Sequence, residues 1–314
     1  DLGFEIPLAI QCTIEAMGTT LGGQDIEAFY ATVAHRDLLW IGMNCATGPQ
    51  FMRDHLRTLA QISRFPVTAI PNAGLPDEDG NYNETPEMMA ATVGRFLDSG
   101  WLNLVGGCCG TTGLHIESLD VMLRSNAETA RHRPVPVRRK VYWVPAVASL
   151  YSRIEMRQEN AYLSIGERCN ANGSRKFRAL LDTEDWDGCV AVARDQEKDG
   201  SHTIDVCTAY VGRDEVSDMT EVMRRMRGSV EAPLVIDSTE LPVLEAALAL
   251  YGGKAILNSI NFEDGEEAAH KRLELARKFG AAVIALTIDE RGMAKDVDTK
   301  IEIAKRLYAF SVRK

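Results

Sequence analysis

Residues 38–70, LLWIGMNCATGPQFMRDHLRTLAQISRFPVTAI, decide how the rest of the chain is read. They open on an apolar run, 38–43, which has the length of a strand rather than a helix. Turn residues follow, then a stretch of helical periodicity over 50–62, then a second short apolar run at 67–70. Strand, helix and strand in that order form a βαβ unit, whose crossover is right-handed and whose strands lie parallel.

The same rhythm extends in both directions. In the first half, strand-like runs fall at 8–12, 38–43, 67–70 and 102–105, with helical stretches at 25–34, 50–62 and 85–97. Thr85-Pro86-Glu87 makes a good helix start: a capping hydroxyl, proline at the first helical position, then an acid. In the second half the strand-like runs are 162–165, 203–206, 234–236, 255–257 and 281–287, and the helical ones 185–198, 241–249, 266–279 and 297–310. Between the halves the rhythm breaks, and Arg133-Pro134-Val135-Pro136-Val137 has the composition of a connecting segment. The expected organisation is a first unit at 1–124, a linker at 125–160 and a second unit at 161–314. A closed (β/α)8 barrel takes about 250 residues, more than either half offers. The expected fold class is therefore α/β, two TIM-type (β/α)8 barrels in tandem, each only partly present: the end of one and the beginning of the next. The acidic start Asp1-Leu2-Gly3-Phe4-Glu5, without an initiator Met, agrees with a chain cut from something longer.

Composition narrows the class further. The 314 residues are 45% hydrophobic and 25% charged, ordinary values for a globular protein. No apolar run approaches the roughly 20 residues that cross a bilayer, so no membrane partner is expected. A net charge of −10 argues against nucleic acid, and the basic run at 131–140 reads as a solvated linker. Seven cysteines, irregularly spaced, do not make a disulfide framework and suit a reducing cytoplasm.

In both halves the distinctive polar residues come directly after strand-like runs. Asn44 and Cys45 follow the second run, Asn72 the third, Cys108 and Cys109 the fourth. Glu167 and Asn170, Asp205, Asp237-Ser238 and Asn258-Ser259 do the same in the second half. Such positions gather at the C-terminal mouth of a parallel barrel, where strands hold catalytic groups rigidly.

Gly106-Gly107-Cys108-Cys109-Gly110-Thr111-Thr112 is the most specific string. Adjacent strand residues point oppositely, so both sulfurs can face one ion only if the strand ends here, as the flanking glycines suggest. Cys45, at the same rim level two strands earlier, is the best third ligand. Three thiolates and one open position are the pattern of catalytic zinc, the open position suiting a substrate thiol that loses its proton on binding. The alternatives are buried core thiols, a reading that suits Cys12 and Cys189, or a vicinal Cys108–Cys109 disulfide.

Residues 102–112 (LNLVGGCCGTT) resemble the zinc motif of homocysteine S-methyltransferases; 42–49 (GMNCATGP), 71–76 (PNAGLP) and 19–24 (TTLGGQ) resemble further motifs of that family. From Ile165-Gly166-Glu167-Arg168 onward the chain resembles pterin-binding methyltransferases, with Asp237-Ser238-Thr239 and Ile256-Leu257-Asn258-Ser259 as recurring marks. The two in this order are similar to cobalamin-dependent methionine synthases over nearly the whole chain. The resemblance implies transfer of methyl from 5-methyltetrahydrofolate, via cobalamin, to zinc-bound homocysteine. It implies Zn2+ on Cys45, Cys108 and Cys109; pterin contacts at Glu167, Asp237 and Asn258, supported by Asn170 and Asp205; and catalytic roles for Asn258 and Asp237. It places strands one to four of the first barrel before Asp1 and strands six to eight of the second after Lys314. Cobalamin would be bound by a module outside this chain, in cis or in trans, and the piece alone would be incomplete as an enzyme. Two departures stand out. Asp205-Val206-Cys207 has cysteine where methionine synthases usually carry asparagine, and a packed thiol is expected there; the 210–214 loop (YVGRD) also differs from the commonest pattern. Residues 287–300 (TIDERGMAKDVDTK) are as close to folate:corrinoid methyltransferases that work with a separate corrinoid protein, which is the alternative reading.

Overall fold

A computed structural model describes residues 6–129 and 139–312, the side chains of 125–129 excepted. The Pro-rich 133–137 stretch lies outside the described residues. The chain divides into two compact units, Asp1–Tyr30 with Arg36–Val144, and Ala31–His35 with Pro145–Lys314.

In the first unit β1 (Leu8–Cys12), α1 (Ile26–Val33), β2 (Leu38–Asn44), α2 (Pro49–Ile62), β3 (Val67–Ile70), α3 (Pro86–Asp98), β4 (Leu104–Val105) and α4 (Gly113–Thr129) alternate. The four strands are parallel and lie in chain order, β1-β2-β3-β4. Local chemistry sets the helix starts. Pro49 opens α2, and Thr85 caps α3 by accepting from Met88 N–H at 3.3 Å, with Pro86 next. Met52, Leu56 and Leu59 recur at helical spacing on α2, and all are buried.

The second unit opens on an antiparallel hairpin, β5 (Ala146–Ala148) and β6 (Arg153–Glu155), inside the stretch expected as linker. It continues with β7 (Ile165–Asn170), α5 (Arg175–Asp182), α6 (Trp186–Lys198), β8 (Thr203–Cys207), α7 (Glu215–Met226), β9 (Leu234–Asp237), α8 (Leu241–Leu250), β10 (Ile256–Ile260), α9 (Gly265–Phe279) and β11 (Ala282–Ala285). A small hairpin, β12 (Ile288–Asp289) with β13 (Gly292–Met293), precedes α10 (Val297–Ser311). Strands β7 to β11 are parallel and again in chain order, without the reversal of a doubly wound sheet. Asp185, Asp214 and Asp296 cap α6, α7 and α10 through their carboxylates.

Alternation along the strands separates two faces. Ile204, Val206, Leu234, Ile236 and Leu257 pack under the helices. Val235 and Ile256 face the other way and pack against Val147 of the hairpin. Ala148 and Lys254 exchange backbone hydrogen bonds of 3.1 and 2.8 Å, which places the hairpin at the N-terminal ends of the strands. It fills the inner face below the polar residues.

The sequence reading placed the first strand of this unit at 162–165. The structure starts it at Ile165 and carries it to Asn170, with a register break between Gly166 and Cys169. Buried Gln196 on α6 accepts from Arg168 N–H at 2.6 Å, a bond made from another element that a local pattern cannot reveal. Helix α4 of the first unit and helices α5 and α7 of the second were unassigned from the sequence.

Tyr251 ties the hairpin to the sheet: buried, its hydroxyl donates to the Ala148 carbonyl and accepts from Leu234 N–H, both at 3.1 Å. Tyr251→Phe keeps the ring and leaves that N–H unpaired, so it should cost about 1–3 kcal/mol, measured as a lower urea midpoint for this unit.

Candidate functional site

The first constellation lies past the C-terminal ends of β2, β3 and β4. Cys45 N–H bonds to the Ile70 carbonyl (3.1 Å) and Cys108 N–H to the Pro71 carbonyl (2.8 Å), which brings both loops to one level. Cys45 and Ala46 have φ of 59° and 54°, a left-handed turn that non-glycine residues adopt at some cost. Asn72, buried behind them, accepts from Cys109 N–H at 3.1 Å. Gly110, with φ 75°, lies so close beneath the Tyr82 ring that a Cβ there would overlap it.

The three sulfurs lie within 4.8 Å of one another, Cys45 to Cys109 at 3.5 Å and Cys108 to Cys109 at 3.9 Å. Tetrahedral zinc with bonds of about 2.3 Å would hold its sulfurs about 3.8 Å apart. Geometry and soft donors both fit such an ion. Ala46 N–H holds Cys45 below its usual range, while hydrogen bonds to Cys45 and Cys108 push Cys109 up to about 11. All seven cysteines are free; Cys12, Cys169, Cys189 and Cys207 are buried.

The second constellation is in the other unit, on the inner face and C-terminal side of β7 to β10. Asn170 Oδ1 accepts from the backbone N–H groups of Asn172 and Gly173, at 2.9 and 3.2 Å. That orients its amide nitrogen, which donates to Asp205 and Asp237 at 3.1 Å each. Asn258 Nδ2 reaches the other oxygen of Asp205 at 3.4 Å. Ser238 donates to Glu215 at 2.6 Å and accepts from Glu240 N–H, which fixes the loop after Asp237. Burial, then the Asp237 charge, pushes the Asp205 carboxyl up to about 6; burial also raises Asp237. Glu167 stands exposed beside the network, and its charge adds to both shifts.

Asn170, Asp205, Asp237 and Asn258 are thus one hydrogen-bonded group, with Glu167 at its edge. The sequence reading missed Asn172, Gln196 and Tyr82, whose partners come from other elements and leave no local motif.

Residues 2–123 match the family model for homocysteine S-methyltransferase, and residues 166–314 the model for pterin binding enzymes. The chain therefore joins, in one polypeptide, a region similar to homocysteine S-methyltransferases and a region similar to pterin binding enzymes. Methionine synthases from Mycobacterium leprae (strain TN) and Mycobacterium tuberculosis (strain ATCC 25618 / H37Rv) are each 43% identical to it, over 312 and 311 residues. The match covers 97% of this chain and 26% and 25% of those proteins, so the chain spans about a quarter of their length. Over nearly its whole length the chain is similar to these methionine synthases. Among solved structures, the match to the carboxyl transferase domain of Rhizobium etli pyruvate carboxylase covers 98% of this chain and 48% of that one, at 13% identity and a TM-score of 0.25. Among the described residues no helix is long and apolar enough to cross a membrane.

An unfolded aspartate releases its proton near pH 3.9, whereas the folded Asp205 holds it to about pH 6. Between those values the folded state binds the extra proton, so its stability falls as pH rises through the window and levels above it. Asp205→Asn should remove that slope, read from urea midpoints at about pH 4.5 and about pH 7.

Proposed function

We propose that this chain contributes two methyl-transfer sites to a methionine synthase: one activates homocysteine, the other takes the methyl group from 5-methyltetrahydrofolate. A three-sulfur rim in one unit and a carboxylate–amide rim in the next, each within its matching family, carry the reading. Each open sheet would be part of a (β/α)8 barrel, with 1–124 in the first, 125–160 joining them and 161–314 in the second.

Cys45, Cys108 and Cys109 would hold zinc, which when bound supplies the Lewis acidity that makes a substrate thiol a thiolate at neutral pH. Asn72 and the turn at Cys45 hold the loops so that the sulfurs converge. In the second unit the pterin presents N–H donors that Asp237 and Glu167 would accept. Its N5 has to be protonated before it releases a methyl group. Asn258, backed by a carboxyl at Asp205 that keeps its proton unusually long, would assist there. Asn170 makes four bonds inside the group and so acts on substrate through the carboxylates it positions. Cobalamin, on a module in cis or in trans, would carry the methyl group between the sites.

The 287–300 segment favours one other reading, a folate:corrinoid methyltransferase served by a separate corrinoid protein. Turnover of free homocysteine with methylcobalamin separates the two, since only the first requires it.

In the full-length protein Cys108→Ala should lose both bound zinc, measured by metal analysis, and methyl transfer from methylcobalamin to homocysteine. Retention of both would refute the zinc assignment. Asp237→Asn should weaken methyltetrahydrofolate binding at least tenfold, the scale of a lost charged hydrogen bond, and leave the homocysteine half-reaction intact.

A further inference from the structure

His115 lies in the first turn of α4 and is 6% exposed, so its ring nitrogens bond to protein rather than to water. Thr112 N–H donates to Nδ1 at 3.1 Å, and a backbone N–H can only donate. Nδ1 is therefore the acceptor nitrogen, and the Thr112 hydroxyl, 3.0 Å away, adds its own hydrogen to it. The ring hydrogen sits on Nε2, which donates to the Glu84 carbonyl at 2.9 Å. One tautomer thus presents an acceptor to one loop and a donor to another.

Those two loops build the Cys109 side of the three-sulfur rim. Thr112 ends the loop after β4, three residues past Cys109, and the turn between them folds onto the Cys108 carbonyl through Thr111 N–H (3.2 Å) and Oγ1 (2.6 Å). Glu84 ends the longer loop after β3, which begins near Asn72 and Ala73. Cys109 grips the start of that loop with both backbone groups: its N–H donates to Asn72 Oδ1 at 3.1 Å, and its carbonyl accepts from Ala73 N–H at 2.9 Å. The Ala73 carbonyl accepts in turn from Glu84 N–H at 3.1 Å. The bond from Nε2 closes the circuit: Cys109, Ala73, Glu84, His115, Thr112, and back along the chain to Cys109. A closed ring resists a displacement that the bonds at Cys109 alone would allow.

The return of Nδ1 to Thr112 N–H is half of a capping box, and capping α4 would need no more than that. Nε2 does something different. Its bond crosses to a residue 31 positions away and ties the helix start to the loop that holds Cys109.

We infer that His115 is a positioning residue for the three-sulfur rim: its Nε2–H bond to the Glu84 carbonyl closes the ring that keeps Cys109 in place for zinc. The inference rests on the reading of this rim as a zinc site. Groups that orient a metal ligand from behind typically contribute about ten- to a hundredfold in metal affinity.

The test uses the full-length enzyme with His115→Gln, His115→Asn, His115→Met and, as reference, Cys108→Ala, and reads zinc affinity by competition with a chelator. His115→Gln keeps an acceptor and a donor spaced much as in imidazole, and should stay within about threefold of the unsubstituted enzyme. The side chain in His115→Asn ends at the position of Nδ1, so it keeps the cap and stops short of Glu84. It should weaken zinc about ten- to a hundredfold, as should His115→Met. A capping role alone would leave His115→Asn as tight as His115→Gln. The second readout is alkylation of the zinc-loaded proteins, mapped cysteine by cysteine. In His115→Asn and His115→Met, Cys109 should react at least about tenfold faster, while Cys12, buried in the same unit, stays unreactive. Unchanged zinc affinity in His115→Asn, a His115→Gln variant as weak as His115→Met, or Cys12 reacting together with Cys109 would each overturn the inference, the last because the unit would then have opened as a whole. If Cys108→Ala loses zinc while His115→Asn and His115→Met keep it, this inference alone fails. If Cys108→Ala keeps it too, the zinc reading fails and takes the inference with it.

Discussion

The bond from Cys45 N–H to the Ile70 carbonyl, 3.1 Å long, joins the end of one strand to the end of the next, and the cysteine rim depends on it. Parallel strands in register finish at one level, so residues that follow them meet even when they are far apart in the chain. Cys108 N–H repeats the connection to Pro71 at 2.8 Å. With both bonds made, three sulfurs from two loops converge, and Asn72 behind them closes the arrangement by accepting from Cys109 N–H. Remove the strand register and the cysteines would be separate thiols on separate loops.

The second unit applies the same constraint to carboxylates, with a different electrostatic problem. Two aspartates close together inside a protein repel and lose their hydration. Asn170 answers both difficulties, since one hydrogen of its amide goes to each. The residual strain shows in Asp205, whose carboxyl keeps its proton to about pH 6. A site in which one acid gives up its proton near neutrality is prepared for proton transfer.

Rigidity comes from below. The β5–β6 hairpin fills the inner face at the N-terminal strand ends, where Val147 meets Val235 and Ile256, one alternation below Asp237 and Asn258. The polar group therefore rests on packed apolar side chains rather than on water. That keeps the dielectric low around it and makes each hydrogen bond count for more.

Much of this was legible in the sequence. Four and five strand-like runs became sheets of four and five parallel strands, because apolar runs flanked by turn residues are a local signal. The position of Cys45, Cys108 and Cys109 in one unit, and of Asp237 and Asn258 in the other, just after or within such runs put each set at the rim of its own sheet, since a parallel strand can deliver its last residues nowhere else. Other features could not be read locally. The first strand of the second unit runs on to Asn170 because Gln196, on a helix many residues later, holds its irregular turn. The stretch read as a linker includes a hairpin whose partners are Lys254 and Tyr251. Cys207 showed in the sequence only as a buried thiol; that its sulfur accepts from Asn172, 35 residues earlier, follows from the pairing of β7 with β8. The sequence by itself determined which residues reach the strand ends, because that depends on local periodicity. Tertiary structure alone decided which of them share a hydrogen bond or a proton, because those distances are set by register between strands distant in the chain.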